Sequence, residues 1–185
     1  MSSESDPARV LVVDDEERVA DTYRLRLQSE YEVTVARGGR EALDVVDDAV
    51  DVVLLDRRMP DISGDEVLEE LRSRDLDVKV VMMTAVDPGF DLVEMQCDDY
   101  IVKPVDRGTL ETVVERVLAI ADYSDRRQRL GAKKLKRNVL EVEMRPNELA
   151  DNDEYQRLEA EIATLEREVD DLEAELGLED VDRFL

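Results

Sequence analysis

Val10-Leu11-Val12-Val13-Asp14-Asp15 places four apolar residues directly before two acids, and an apolar run ending at a polar residue returns three more times. Asp56 follows Val52-Val53-Leu54-Leu55, Thr84 follows Val80-Val81-Met82-Met83, and Lys103 follows Ile101-Val102 and precedes Pro104. Short runs that are apolar at every position read as strands buried on both faces. The pattern predicts strands near 8–13, 32–36, 51–56, 79–84 and 99–102. Helices are predicted near 16–29, 39–47, 64–74, 88–96 and 106–122. Five such units make an α/β fold, a parallel sheet with helices on both faces. The second strand, Glu32-Val33-Thr34-Val35, alternates and so belongs at a sheet edge.

In a parallel sheet those strand ends share one edge, where open α/β folds bind ligands. Asp14, Asp15, Asp56, Thr84 and Lys103 would then converge. Two carboxylates about 4 Å apart repel by roughly 4 kcal/mol at an effective dielectric of 20, so the acids either protonate or recruit a cation. Oxygen-only ligands on a phosphate-handling edge favour Mg²⁺. Asp56 could act as a nucleophile toward phosphorus, forming an acyl phosphate. Thr84 could donate a hydrogen bond to the phosphoryl group, and Lys103 could offset its charge. Taken singly, each residue has a plainer role, such as a helix cap for Asp14 or Asp15. Their joint position at the ends of strands 1, 3, 4 and 5 favours the shared site.

Composition narrows the function classes. The 185 residues hold 25 basic and 49 acidic side chains, a net charge of −24 without any His. Such a chain repels nucleic acid and anionic membranes unless a local patch reverses the sign. The surface is Asp/Glu-rich, and Lys occurs only at 79, 103, 133, 134 and 136. That balance points to a cytoplasm of molar salt, where charges are screened within about 3 Å. Cys97 stands alone, excluding an intramolecular disulfide and a thiolate metal site. Residues 1–7 lack the features of a signal peptide, and no apolar run spans a bilayer, so a cytoplasmic protein is expected.

Beyond residue 122 the strand pattern ends and the chain becomes highly charged and helix-favouring. Tyr123 to Met144 could extend the fifth helix, weakened at Gly131 by about 1 kcal/mol. Arg145-Pro146-Asn147 reads as a break. A further helix is predicted from about Glu148 to Leu176, ending at Gly177. It carries Tyr155, Leu158, Ile162, Leu165, Val169, Leu172 and Leu176, an unbroken heptad seam that predicts a coiled coil or helical hairpin. Its flanking positions Glu159, Glu161, Glu166, Glu168, Glu173 and Glu175 are all acidic, which disfavours pairing with its own copy. The preceding segment is basic at Arg126, Arg127, Arg129, Lys133, Lys134, Lys136 and Arg137. Ala132, Leu135, Val139 and Val142 supply an apolar seam there. The expected arrangement is an antiparallel hairpin joined along that seam, within one chain or exchanged between two.

Residues 8–122 resemble a receiver domain of two-component response regulators. The resemblance rests on Val12-Val13-Asp14-Asp15-Glu16, Leu54-Leu55-Asp56 with Met59-Pro60-Asp61 and Gly64, Met83-Thr84-Ala85, and Asp98-Asp99-Tyr100-Ile101-Val102-Lys103-Pro104. It implies a flavodoxin-like, doubly wound five-stranded sheet of order 2-1-3-4-5. It further implies phosphorylation of Asp56 by a histidine kinase, with Mg²⁺ held by Asp15, Asp56 and the backbone carbonyl of Arg58, and by Asp14 through water. Thr84 and Tyr100 would be a switch pair, and the Lys103–Pro104 bond would be cis.

Three departures from the pattern stand out. Arg58 brings a cation near the phosphoryl group, and Gln96 replaces a common Gly before strand 5. Val113 and Ile120 stand where the winged-helix subclass carries arginines that pair across a dimer. Residues 123–185 resemble the HalX domain, a helical output segment fused to receivers in halophilic archaea, through Tyr123-Ser124-Asp125-Arg126-Arg127, Glu154-Tyr155 and the heptads. The leading expectation is a signalling switch with a protein-interaction tail. The alternative is a DNA-binding transcription regulator using 126–137, although no helix-turn-helix pattern is present. An aspartyl phosphatase is disfavoured, since such enzymes commonly place an acid where Arg58 stands.

Overall fold

The computed structural model describes residues 6–74, 76–85 and 95–177. Five parallel strands, β1 (Arg9–Val13), β2 (Glu32–Ala36), β3 (Val52–Asp56), β4 (Lys79–Thr84) and β5 (Asp99–Val102), form one sheet in the order β2-β1-β3-β4-β5. Helices α1 (Glu17–Leu27), α2 (Gly39–Val45) and α3 (Gly64–Ser73) connect the first strands. The order agrees with the flavodoxin-like expectation, and β2 lies at an edge, as its alternation required. The helix expected over 88–96 falls largely outside the described residues.

Alternation along the strands feeds two cores. Val10, Val12, Val52 and Leu54 face one layer, with Ala20, Tyr23 and Leu27 of α1. Leu11, Val13, Val53 and Leu55 face the other, with Ala42 of α2 and Val67, Leu68 and Leu71 of α3. Every residue of β3 is buried, so each of its four apolar side chains, Val52 to Leu55, contributes about 2 kcal/mol through removal from water. Because the chain is buried on both faces, strand polarity has to appear at the strand ends. That is where the chemistry-bearing residues lie.

Helix α4 (Arg107–Glu143) is a single element of 37 residues that runs through Gly131 without a break. The expected extension of the fifth helix from Tyr123 toward Met144 is thus present, and the composition change near 122 lies close to where its packing partners change. Up to Leu118 it belongs to the unit that contains the sheet, and from Ala119 onward to a second unit. Leu110, Val113, Val114 and Val117 pack on the first core. Val113, which stands where the winged-helix subclass carries an arginine, is thus a core residue. Arg116 of this stretch lies at the surface and pairs with Asp99 of β5.

The second unit continues with α5 (Pro146–Ala150) and α6 (Asp153–Leu176). The last helix starts at Asp153 and not near Glu148. Pro146 opens the short α5, and the Asn152 side chain accepts from the amides of Glu154 and Tyr155 at 2.9 and 3.0 Å, capping α6. Gly177, at φ 66°, closes α6 in the left-handed conformation that glycine adopts without strain.

The two long helices pair antiparallel within one chain. Leu130 packs with Ile162 and Val169, with Tyr123, Leu158 and Leu165 alongside. Lys134 meets Glu166 at 2.8 Å, Arg126 pairs with Glu168, and Lys133 pairs with Glu161. The Tyr123 hydroxyl donates to Glu173 at 2.7 Å and the Tyr155 hydroxyl to Glu141 at 3.1 Å, fixing the register at both ends. The basic-against-acidic hairpin is as expected. Its apolar contact is not. Leu135, Val139 and Val142 are 66%, 54% and 81% exposed, so the predicted seam on α4 points away from α6. The face that pairs instead carries Tyr123 and Leu130 with the cations. The cross-helix ion pairs hold Lys133, Lys134 and Arg137 toward α6 and thereby rotate the aliphatic stripe outward.

Candidate functional site

Each site residue is placed by the strand that ends at it. Asp14 follows β1, its amide donates to the Ala36 carbonyl at 3.2 Å, and its carboxylate accepts the Glu16 amide at 2.9 Å. Asp56 closes β3, and the next amide, Arg57, donates to the Met83 carbonyl at 2.9 Å. Thr84 closes β4, and its carbonyl accepts the Lys103 amide at 2.7 Å. The backbone ladder therefore carries Asp56, Thr84 and Lys103 to one edge before any side chain contributes. The peptide between Lys103 and Pro104 is cis.

The side chains then meet. The Lys103 ammonium lies 2.6 Å from Asp14 and 2.8 Å from Asp56, bridging the two. Carboxylate oxygens of Asp14, Asp15 and Asp56 lie within 4.8 Å of one another. Asp14, Asp56 and Thr84 are buried, whereas Asp15 is exposed. Three acids against one ammonium leave excess negative charge in a low-dielectric pocket. Burial pushes the Asp56 carboxyl above the usual range; Lys103 opposes the rise, and Asp14 and Asp15 add to it. Burial would lower Lys103, but its bonds to Asp14 and Asp56 outweigh that, and the net shift is upward. An oxygen-rich pocket with a fixed cation and surplus negative charge suits a hard divalent ion.

Two placements add to the sequence picture. Tyr100 stands outward on β5 and is 42% exposed. Arg58 also carries an exposed side chain. Gly64, present in the sequence motif without a stated role, opens α3 against the strand end. A Cβ there would come within 2.3 Å of the Asp56 carbonyl oxygen, so only glycine permits this approach. Ser63 caps the same helix: its hydroxyl accepts from the Glu66 amide, and Glu66 accepts the Ser63 amide at 2.8 Å. The loop after Asp56 is thereby anchored close to the carboxylate.

The basic segment of α4 is occupied differently from what nucleic-acid contact requires. Arg126, Lys133, Lys134 and Arg137 all face acids of α6, and Arg129 pairs with Asp125 at 2.9 Å. Among the described residues, no helix is long and apolar enough to cross a membrane.

Comparison with known proteins agrees with this geometry. Residues 10–115 match the response regulator receiver domain, and residues 119–185 match the HalX domain. A Haloferax volcanii protein named for transcriptional regulation is 45% identical over 95% of this chain and 32% of its own length. The transcriptional regulatory protein YkoG of Bacillus subtilis is 34% identical over 75% of this chain and 68% of its own. The chain thus spans about a third of the first relative and about two thirds of the second. Among solved structures, Thermotoga maritima TrrA in complex with Mg²⁺–BeF superposes with a TM-score of 0.55 at 37% identity, over 60% of this chain and 99% of that one. The chain belongs to the response regulators: it carries their receiver domain, with a HalX domain behind it.

Proposed function

We propose that the chain is a phosphorylation-controlled switch in which Asp56 accepts a phosphoryl group from a histidine kinase and a helical tail, 123–185, passes the signal to a protein partner. The observation that carries this reading is the Lys103 ammonium bridging Asp14 and Asp56, with Asp15 in the same cluster. The clustered carboxylates of Asp14, Asp15 and Asp56 fit Mg²⁺; Asp15, Asp56 and the Arg58 backbone carbonyl would hold it directly, and Asp14 through water. When bound, the ion would neutralise the surplus acid charge and draw the phosphoryl oxygens to the pocket. An Asp56 carboxylate oxygen attacks phosphorus, and the phosphorus–nitrogen bond of the kinase's phosphohistidine breaks, its electron pair returning to the imidazole. Lys103 offsets the charge that arrives, and Thr84 donates a hydrogen bond to it. Tyr100 is the partner of Thr84 in the switch, turning inward from its outward position as Thr84 engages the phosphoryl group. The TrrA complex with Mg²⁺–BeF supports this assignment. We place the protein in the cytoplasm, and no turnover of a foreign phosphoester is expected.

Incubation with a small phosphoryl donor and Mg²⁺, followed by borohydride reduction and peptide mass spectrometry, tests the reading. The label is expected on Asp56 and should vanish in Asp56→Asn. Label on another aspartate would overturn the assignment.

The names of the two relatives favour transcription as a second reading. Four of the cations at 126–137 that would meet DNA phosphates, Arg126, Lys133, Lys134 and Arg137, are engaged with α6, so direct DNA contact by that segment ranks second. A gel shift measured across salt concentrations separates the two, since phosphate contacts would weaken steeply with salt.

A further inference from the structure

The outward stripe on α4 is the largest feature that the switch does not use. Ala132, Leu135, Val139 and Val142 are spaced three and four residues apart, the repeat of a helix that seats against another helix. All four are exposed, and Val142 is 81% so. Scattered apolar residues on a surface need no explanation, but a heptad-spaced row on a highly charged helix does. The hairpin does not cover it, since α6 packs on the opposite face through Tyr123 and Leu130.

Charge decides which helix can cover it. The positions flanking this stripe are Gly131, Lys136, Asn138 and Glu143, in contrast to the six glutamates beside the α6 seam. Paired in parallel, Gly131 faces Lys136 and Asn138 faces Glu143; paired antiparallel, Lys136 and Glu143 share a flank and face each other. In neither direction does an acid meet an acid. Lys133, Lys134 and Arg137 are already matched by Glu161, Glu166 and Glu159 of α6, so the stripe carries one flanking base, Lys136, and one flanking acid, Glu143, and is locally neutral within a chain of net charge −24. It is therefore a surface on which two copies can meet without acid repulsion at the contact. A nucleic acid would find no apolar match in it.

We propose that this stripe is a self-association surface, and that two copies of the chain pair helix to helix through Leu135 and Val139. The seam is only two heptads long, well below a standard interface, so the dimer is weak and depends on concentration. The surplus acid charge elsewhere opposes close approach of two copies, so added salt strengthens pairing by screening it.

Sedimentation velocity of the full chain, from about 10 to about 500 µM, in about 0.2 M and about 2 M KCl, tests this. The expected result is a monomer–dimer equilibrium with a midpoint on the order of 100 µM, shifted at least about threefold toward dimer at high salt. Leu135→Glu with Val139→Glu should remain monomeric throughout. Leu135→Gln with Val139→Gln, which keeps helix-favouring side chains, should also weaken pairing while leaving the helical circular dichroism unchanged. A wild-type chain monomeric at every concentration would overturn the proposal, as would either double variant dimerising like wild type with its helical signal intact. Capture of an unrelated acidic helical peptide by a strictly monomeric wild-type chain would assign the stripe to another partner.

Discussion

Charge is used in opposite ways at the sheet edge and in the helical hairpin. At the edge, two buried acids and one exposed acid share a single ammonium, so negative charge is left unmatched where water is scarce. In the hairpin, bases of α4 are matched one by one with acids of α6 along a surface open to solvent. Exposed pairs contribute little energy each, but they decide which faces meet. A surplus of buried like charge costs stability and is sustained where a ligand supplies the missing cation. The edge is thus built to change when something binds, and the hairpin to hold one register.

Removing the hairpin's small core should have the largest effect. Ile162 is 2% exposed, and Ile162→Ala should cost about 3–4 kcal/mol, enough to abolish cooperative melting of the tail while the sheet unit melts as before. The loss reads directly in helical circular dichroism against temperature. A fully retained tail transition would mean that ion pairs, and not this core, hold the helices.

Next comes metal. Magnesium at about a hundredfold its dissociation constant should stabilise the sheet unit by about 2.7 kcal/mol, seen as a rise in melting temperature. Asp15→Ala should remove most of that rise, and because Asp15 is exposed the metal-free fold should be little changed. An equal shift in the variant would move the ion elsewhere.

Gly131→Ala should stabilise the tail by about 0.5–1 kcal/mol. A Cβ at that position meets nothing within 4 Å, and alanine restricts the unfolded helix segment. A loss of stability would place an unseen contact over that turn.

The smallest effect is electrostatic. Lys133 and Lys134 hold Glu161 and Glu166 below the ordinary value of 4.5. A lowered folded pKa means that the contribution is present above the ordinary value and lost as pH falls through the folded one. In low salt, the melting temperature of wild type should exceed that of Glu161→Gln/Glu166→Gln at about pH 7, and the gap should narrow as pH falls below the ordinary value and on through the folded ones. A gap that persists in acid would show the glutamines to be harmful for another reason.

The parallel sheet was legible because strands buried on both faces need uninterrupted apolar runs, and Val52 to Leu55 or Val80 to Met83 admit no competing periodicity. The meeting of Asp14, Asp56, Thr84 and Lys103 followed, since parallel strands must end along one edge. Helix boundaries beyond residue 122 were less legible. Gly131 and the change in composition suggested weakness or an end where α4 continues unbroken, and the Asn152 cap was outcompeted by the earlier signal of Pro146.

Residue order by itself determined the sheet, its acid-bearing edge and the pairing of a basic helix with an acidic one, because burial and charge act through composition and spacing. Only the tertiary structure decided which face of α4 meets α6. Two faces of that helix could have supplied the contact, the stripe at 132, 135, 139 and 142 or the face bearing Tyr123 and Leu130. The choice fell to cross-helix ion pairs, whose geometry exists only once both helices are in place.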